Sequence, residues 1–116
     1  MIITLILSVA ALANTPEIPN AFRGHWNDYA AQCRDPYSPH LMKITRNQIL
    51  AYELNQYVEN IVYRSKNDIT LATFDRLADG RKINKLTFIL TLSADGKSMK
   101  FGMPNYKPDT LHRCSK

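Results

Sequence analysis

Only four glycines occur in the 116-residue chain, and none lies in a Gly-rich loop of the kind that cradles a phosphate. Nucleotide-binding loops are thereby excluded. Two cysteines cannot build a zinc ribbon unaided. The three histidines, His25, His40 and His112, are scattered, with no two at ligand spacing, whereas a zinc site needs three or four converging ligands. No metal and no cofactor is expected. Beyond the N-terminal leader the serines are Ser38, Ser65, Ser93, Ser98 and Ser115, and none sits in a nucleophile-elbow pattern. There is no long amphipathic helix pattern, no internal repeat and no low-complexity tract. A chain of this length holds one core and so one domain.

What is present begins with an apolar run. Residues 2–13 are apolar except for Thr4 and Ser8, and the character then changes at once to Asn14, Thr15, Pro16 and Glu17. A dozen residues at 1.5 Å each span about 18 Å of helix, short of the ~30 Å hydrocarbon core, so a membrane span is not expected. The run closes on Ala11-Leu12-Ala13, small residues where a signal peptidase reads, and residues 1–13 are expected to be a signal peptide. Removing it leaves residues 14–116, 103 of the 116, as a single domain that keeps both cysteines. Export makes a Cys33–Cys114 disulfide the expected pairing. It would close a loop of about eighty residues, which the chain-entropy model values at about 4 to 5 kcal/mol.

Period-two alternation dominates the rest of the chain. Met42 and Ile44 alternate with Lys43 and Thr45; Leu50, Tyr52 and Leu54 share a side; Tyr57, Ile61 and Tyr63 share a face with Val58 and Val62 opposite. Ile69 and Leu71 oppose Thr70 and Ala72. The clearest strand runs from Lys85 to Leu92, with Leu86, Phe88, Leu90 and Leu92 on one face. Asp95-Gly96 turns the chain, and Met99 and Phe101 resume the apolar face. The expected fold is all-β: a small antiparallel meander barrel or strongly curved sheet of about six strands. A short N-terminal helix is expected near Asn27 to Gln32, with Asn27 as its cap.

Charge is asymmetric along this domain. Up to Asp75 there are six basic and seven acidic residues, and from Arg76 onward nine basic and three acidic, so the excess belongs to the last third. Arg81, Lys82, Lys85, Lys97 and Lys100 form the expected binding set. Lys85, Lys97 and Lys100 would fall on or near one hairpin, opposite Leu86, Phe88 and Leu90. Such a face attracts a protein or an anionic envelope component. Nucleic acid is not expected, for no recognition helix or aromatic RNA-binding motif is present. A hydrolase would need paired carboxylates, and Glu53 with Glu59, flanking a turn at Asn55-Gln56, is the one candidate pair. No enzyme activity is expected, because a domain this small seldom holds a substrate-sized cleft.

Gly24-His25-Trp26, Cys33 and the closing Arg113-Cys114 resemble a group of short exported bacterial proteins of uncharacterised function. The Gly-x-Trp before a β-meander is also similar to the lipocalin-like barrels, a resemblance that implies a Trp26 plugging the barrel base or lining a pocket. The expected strands fall short of the eight of a full lipocalin barrel. In outline the domain resembles periplasmic lysozyme inhibitors, small disulfide-closed β-barrels. The expected function is therefore a non-enzymatic periplasmic or secreted binding module, with hydrolase inhibition or toxin immunity as sub-cases. The alternative is a lipocalin-like carrier of a small apolar ligand.

Overall fold

A computed structural model describes residues 16–115; the expected signal peptide and Lys116 lie outside the described residues. Eight antiparallel strands follow one another around a closed barrel. They are β1 (Gly24–Asn27), β2 (Leu41–Ile44), β3 (Gln48–Ala51), β4 (Leu54–Ser65), β5 (Asp68–Arg76), β6 (Lys82–Leu92), β7 (Ser98–Gly102) and β8 (Asp109–Ser115). Each pairs with the next, and β8 returns to β1 through Trp26 opposite Arg113 and Asn27 opposite His112. The all-β barrel expected from the alternation is present, with eight strands rather than six. The two extra strands are β1 and β8, which form the closing seam. β1 is only four residues long and β8 follows a proline-containing loop, so neither stands out by local alternation. No helix among the described residues is long and apolar enough to cross a membrane.

In place of a short α-helix there are two single 3-10 turns, Asn20–Phe22 and Ala30–Gln32. Asn27 belongs to β1, where it is fully buried; its Oδ1 accepts the Tyr29 N–H at 2.9 Å, and its amide donates to Ser38 Oγ at 3.3 Å. It therefore organises the β1–β2 loop instead of capping a helix.

The barrel interior is filled by side chains. Ile49, Ile69, Leu71 and Leu90 are fully buried, with Phe88, Met99 and Leu111 packed among them. Burial of each such residue is worth about 1.5–3 kcal/mol. Three expected alignments shift. On β3 it is Ile49, opposite Gln56, that is buried, so the core face is Ile49 and Ala51 and not Leu50. The turn expected at Asn55-Gln56 lies earlier, at Tyr52-Glu53, where Glu53 takes φ +56°. Along β4, Tyr57 and Ile61 do not share a face. Val58 pairs with Thr73 and Asn60 with Ala72, leaving Glu59 as an extra residue. This bulge resets the alternation, so Val58 and Ile61 both pack against the core.

One end of the barrel is sealed by the segment that precedes β1. Gly24 takes φ +123°, a conformation that favours glycine, and turns the chain from this segment into the strand. Ile18, Phe22 and Trp26 are all fully buried, and the indole Nε1 donates to Phe22 O at 3.0 Å. The Arg113 guanidinium lies 4.2 Å from the Trp26 ring. It donates to Gly96 O and Arg23 O at 2.8 Å each and to Ala21 O at 2.5 Å. One side chain thus joins the β6–β7 turn, the sealing segment and β8. Beside this seam the β1–β2 loop is fixed to β8 by the Cys33–Cys114 disulfide, which spans 81 residues with Cα atoms 5.2 Å apart.

Two stability changes are expected. Replacing both cysteines by serine lowers the unfolding free energy by about 2–5 kcal/mol in urea denaturation. Arg113→Met removes three hydrogen bonds to backbone carbonyls, two of them partly buried, and costs about 1–3 kcal/mol in the same measurement. An unchanged midpoint for either variant would contradict the tie described.

Candidate functional site

Two irregularities in the β4–β5–β6 sheet decide what its outer face carries. On β6, Leu86 pairs with Thr73 and Ile83 with Asp75, so Asn84 and Lys85 together oppose the single residue Phe74. Asn84 takes φ +48°, as bulges often require of one residue. Lys82 and Lys85 are three apart and in a regular strand would point to opposite faces. The bulge brings both to Glu59, itself the extra residue of β4: Lys82 Nζ lies 2.8 Å from its Oε2 and Lys85 Nζ 3.8 Å from its Oε1.

Aromatic rings carry the rest of this face. Tyr57 and Phe74 stack with centroids 5.8 Å apart. Arg76 places its guanidinium 4.8 Å from the Tyr57 ring and 5.4 Å from the Phe74 ring, while Lys82 Nζ lies 4.6 Å from Phe74. Phe74 is only 4% exposed although it is not part of the interior cluster, because cationic side chains cover it. Arg76, Lys82 and Lys85 against Glu59 leave an excess of two positive charges over stacked rings. Each cation–π contact of this kind contributes about 0.5–1 kcal/mol at exposed sites and restrains the side chain. The hydrogen bond from Lys82 is the main cause that holds the Glu59 carboxyl below its ordinary value, with the Lys82 and Lys85 charges adding to it and partial desolvation opposing.

The expected basic set does not form one surface. Arg81 lies in the β5–β6 turn, where its Nε binds Asp79 at 2.8 Å. Lys82 and Lys85 belong to the face just described. Lys97 lies in the β6–β7 turn, where its backbone N–H and the Ser93 hydroxyl hold the Asp95 carboxyl below its ordinary range. Lys100 opposes Thr91 on the outer face of the β6–β7 hairpin and donates to Thr110 Oγ1 at 2.6 Å. Six residues of β6 separate Lys85 from Thr91, roughly 20 Å at 3.3 Å per residue. Trp26 is fully buried beside Phe22, and the burial of Arg113 next to it pulls that guanidinium down from its ordinary value. Arg76, Tyr57 and Phe74 were not in the expected set. Their meeting depends on pairing across β4 and β5, and no local signal marks it.

Glu53 and Glu59 are not brought together. Glu53 is in the exposed β3–β4 turn and Glu59 is six residues further on, roughly 20 Å against the ~5–10 Å of a glycosidase pair. Among the described residues no group of three His, Cys, Asp or Glu could hold a metal ion. At the end away from the Ile18–Phe22 segment the barrel mouth holds a hollow of about 170 Å³, floored by Met42, Phe101 and Leu111 and rimmed by Asp28, His40, Tyr52 and Asp109. His40 Nδ1 lies 3.2 Å from Asp28 Oδ2, and the Tyr29 ring meets the imidazole edge-on.

The lowered Glu59 pKa has a sign that can be measured. Its ion pairs contribute above the ordinary carboxylate value of 4.5, and that contribution is lost as pH falls through the lowered folded value. Wild type is therefore expected to exceed Glu59→Gln in stability at pH 7, with the difference shrinking below about pH 4.5. Urea unfolding of both at several pH values reads this; a difference constant with pH would contradict the pairing.

No protein-family model matches this chain, and neither a curated protein nor a solved structure is similar to it, so its function has to be read from the surfaces of the barrel itself.

Proposed function

We propose that this protein is a non-enzymatic binding module, periplasmic or secreted, that recognises a protein or an anionic envelope component through the outer face of β4–β5–β6. The observation that carries this reading is the double bulge, which gathers Lys82 and Lys85 at Glu59 and sets Arg76 over Tyr57 and Phe74. A solvated strand face has no need of stacked rings beneath its cations. Here the cations are held in place before any partner arrives, which lowers the ordering cost of binding. The disulfide is consistent with a location outside the cytoplasm. Inhibition of a cell-wall hydrolase or immunity to a delivered toxin fits the same build, and in either case the partner would present an acidic surface.

One observation favours a second reading, a lipocalin-like carrier of a small apolar ligand. The barrel is sealed at one end by Trp26 and carries an apolar-floored hollow at the other. Mass spectrometry of the purified protein separates the two readings, since a carrier copurifies with its ligand.

The leading reading is tested by retention from envelope extract and by cosedimentation with vesicles containing anionic phospholipid. Joint replacement Arg76→Glu and Lys85→Glu leaves Lys82 to hold Glu59. It is expected to weaken retention at least about tenfold, and the remaining binding is expected to fall as salt rises. Partners retained equally by wild type and this variant would overturn the assignment of the surface.

A further inference from the structure

A second outer-face feature lies roughly 20 Å from the first, at the estimated 3.3 Å rise per strand residue. Two hollows flank Lys100 on the β6–β7 hairpin, about 170 Å³ against the β7–β8 loop and about 190 Å³ toward the β6–β7 turn. Thr91 and Lys100 line both, so one cation stands at the border of the two, and the hollow against the β7–β8 loop is the groove that matters below. We propose that this groove binds a small amphipathic carboxylate, with its carboxylate at Lys100 and its apolar part under the β7–β8 loop.

The chemistry at the centre is selective. Among the described residues no carboxylate lies within salt-bridge distance of Lys100. Its ammonium spends one donor on Thr110 Oγ1 and keeps two. Because that Thr110 oxygen accepts, its own O–H remains free to donate. The Thr91 hydroxyl is committed to Asp68 Oδ1 at 3.4 Å and offers no proton. A carboxylate can thus take N–H donors from Lys100 and one O–H from Thr110. An ammonium ligand would meet the Lys100 charge instead.

The apolar half is built to stand still. Gly102 ends β7 against Pro108: a Cβ there would lie 3.0 Å from Pro108 Cα. Any side chain at this position would push Pro108 back by a few tenths of an ångström, and Pro104 and Pro108 stiffen the loop. Tyr106 N–H donates to Met103 O at 3.2 Å, closing the loop on itself. Ile89 and Met103 supply the apolar floor beneath Pro104 and Tyr106. An aliphatic chain of a few carbons is the scale of tail that this hollow accepts.

Octanoate is the probe, with octylamine as the control of equal tail and opposite charge. In a two-dimensional NMR titration of the protein, octanoate is expected to give saturable shifts at Ile89, Thr91, Lys100, Gly102 and Tyr106, with a Kd of about 1 mM. Octylamine is expected to give none there. Lys100→Gln is expected to weaken octanoate about tenfold, the loss of one charge-assisted contact, while Lys100→Arg retains it. Arg76→Glu is expected to leave octanoate binding unchanged, so this site and the β4–β6 face fail independently. Shifts that do not saturate by about 10 mM, that centre on Asp28, His40 and Tyr52 at the mouth, or that survive Lys100→Gln at full affinity would overturn the proposal.

Discussion

The fold depends on closing β8 onto β1, and that closure depends on Arg113 lying over Trp26. β1 is four residues long and meets β8 in three registered pairs, with an irregularity between His25 and Trp26. Ordering four residues costs about 1–2 kcal/mol each, and each hydrogen bond returns about 0.5–1.5 kcal/mol net. The ladder to β8 alone does not cover that cost. The remainder comes from Phe22 and Trp26, fully buried at the sealed end, and from the guanidinium that binds three carbonyls of other segments. The disulfide reinforces the same seam from outside, since Cys33 lies in the β1–β2 loop and Cys114 belongs to β8. Without the seam the barrel would be an open sheet with two unpaired edges.

Apart from the hollow at its mouth, the closed barrel is filled by side chains, and most of its polar groups lie outward. Interior positions are taken by large apolar side chains with the buried Thr73–Gln56 hydrogen bond among them at 2.8 Å. Strict alternation would then scatter outward charges evenly along each strand. The bulges at Glu59 and at Asn84-Lys85 break that regularity at neighbouring points of β4 and β6. A bulge costs ladder hydrogen bonds and changes the direction of side chains. Here the change gathers three cations, one carboxylate and two rings on a single face.

The legible parts were those whose signal is local. β6 and β7 read directly from Leu86, Phe88, Leu90, Met99 and Phe101, and the Asp95-Gly96 turn between them holds where expected. The all-β class followed from the same alternation, and the disulfide from an even cysteine count in a chain expected to be exported. The seam strands were not legible: each is defined by the other, nearly ninety residues away, and the intervening loops carry prolines that read as tail. The bulges were hidden for a related reason. Tyr57, Ile61 and Tyr63 alternate convincingly on paper, and only pairing with β5 reveals that Glu59 is surplus. Arg76 looked like one more surface charge because the rings under it come from two strands.

The late basic excess resolves into groups that cannot act as one. Arg113 is structural, Arg81 is paired with Asp79, and Lys82 is held by Glu59. Besides Lys97 and Lys107 in the loops that flank β7, what remains is Arg76 with Lys85 at one place and Lys100 at another. At physiological ionic strength the screening length is about 8 Å, and these two groups are roughly 20 Å apart along β6. Each therefore attracts an anion by its own field, with little help from the other. A large acidic partner suits the broad face built on stacked rings, while a single carboxylate suits a lone ammonium between two apolar hollows. The same sequence asymmetry is thus divided between two places because the length of β6 separates them beyond electrostatic reach of each other.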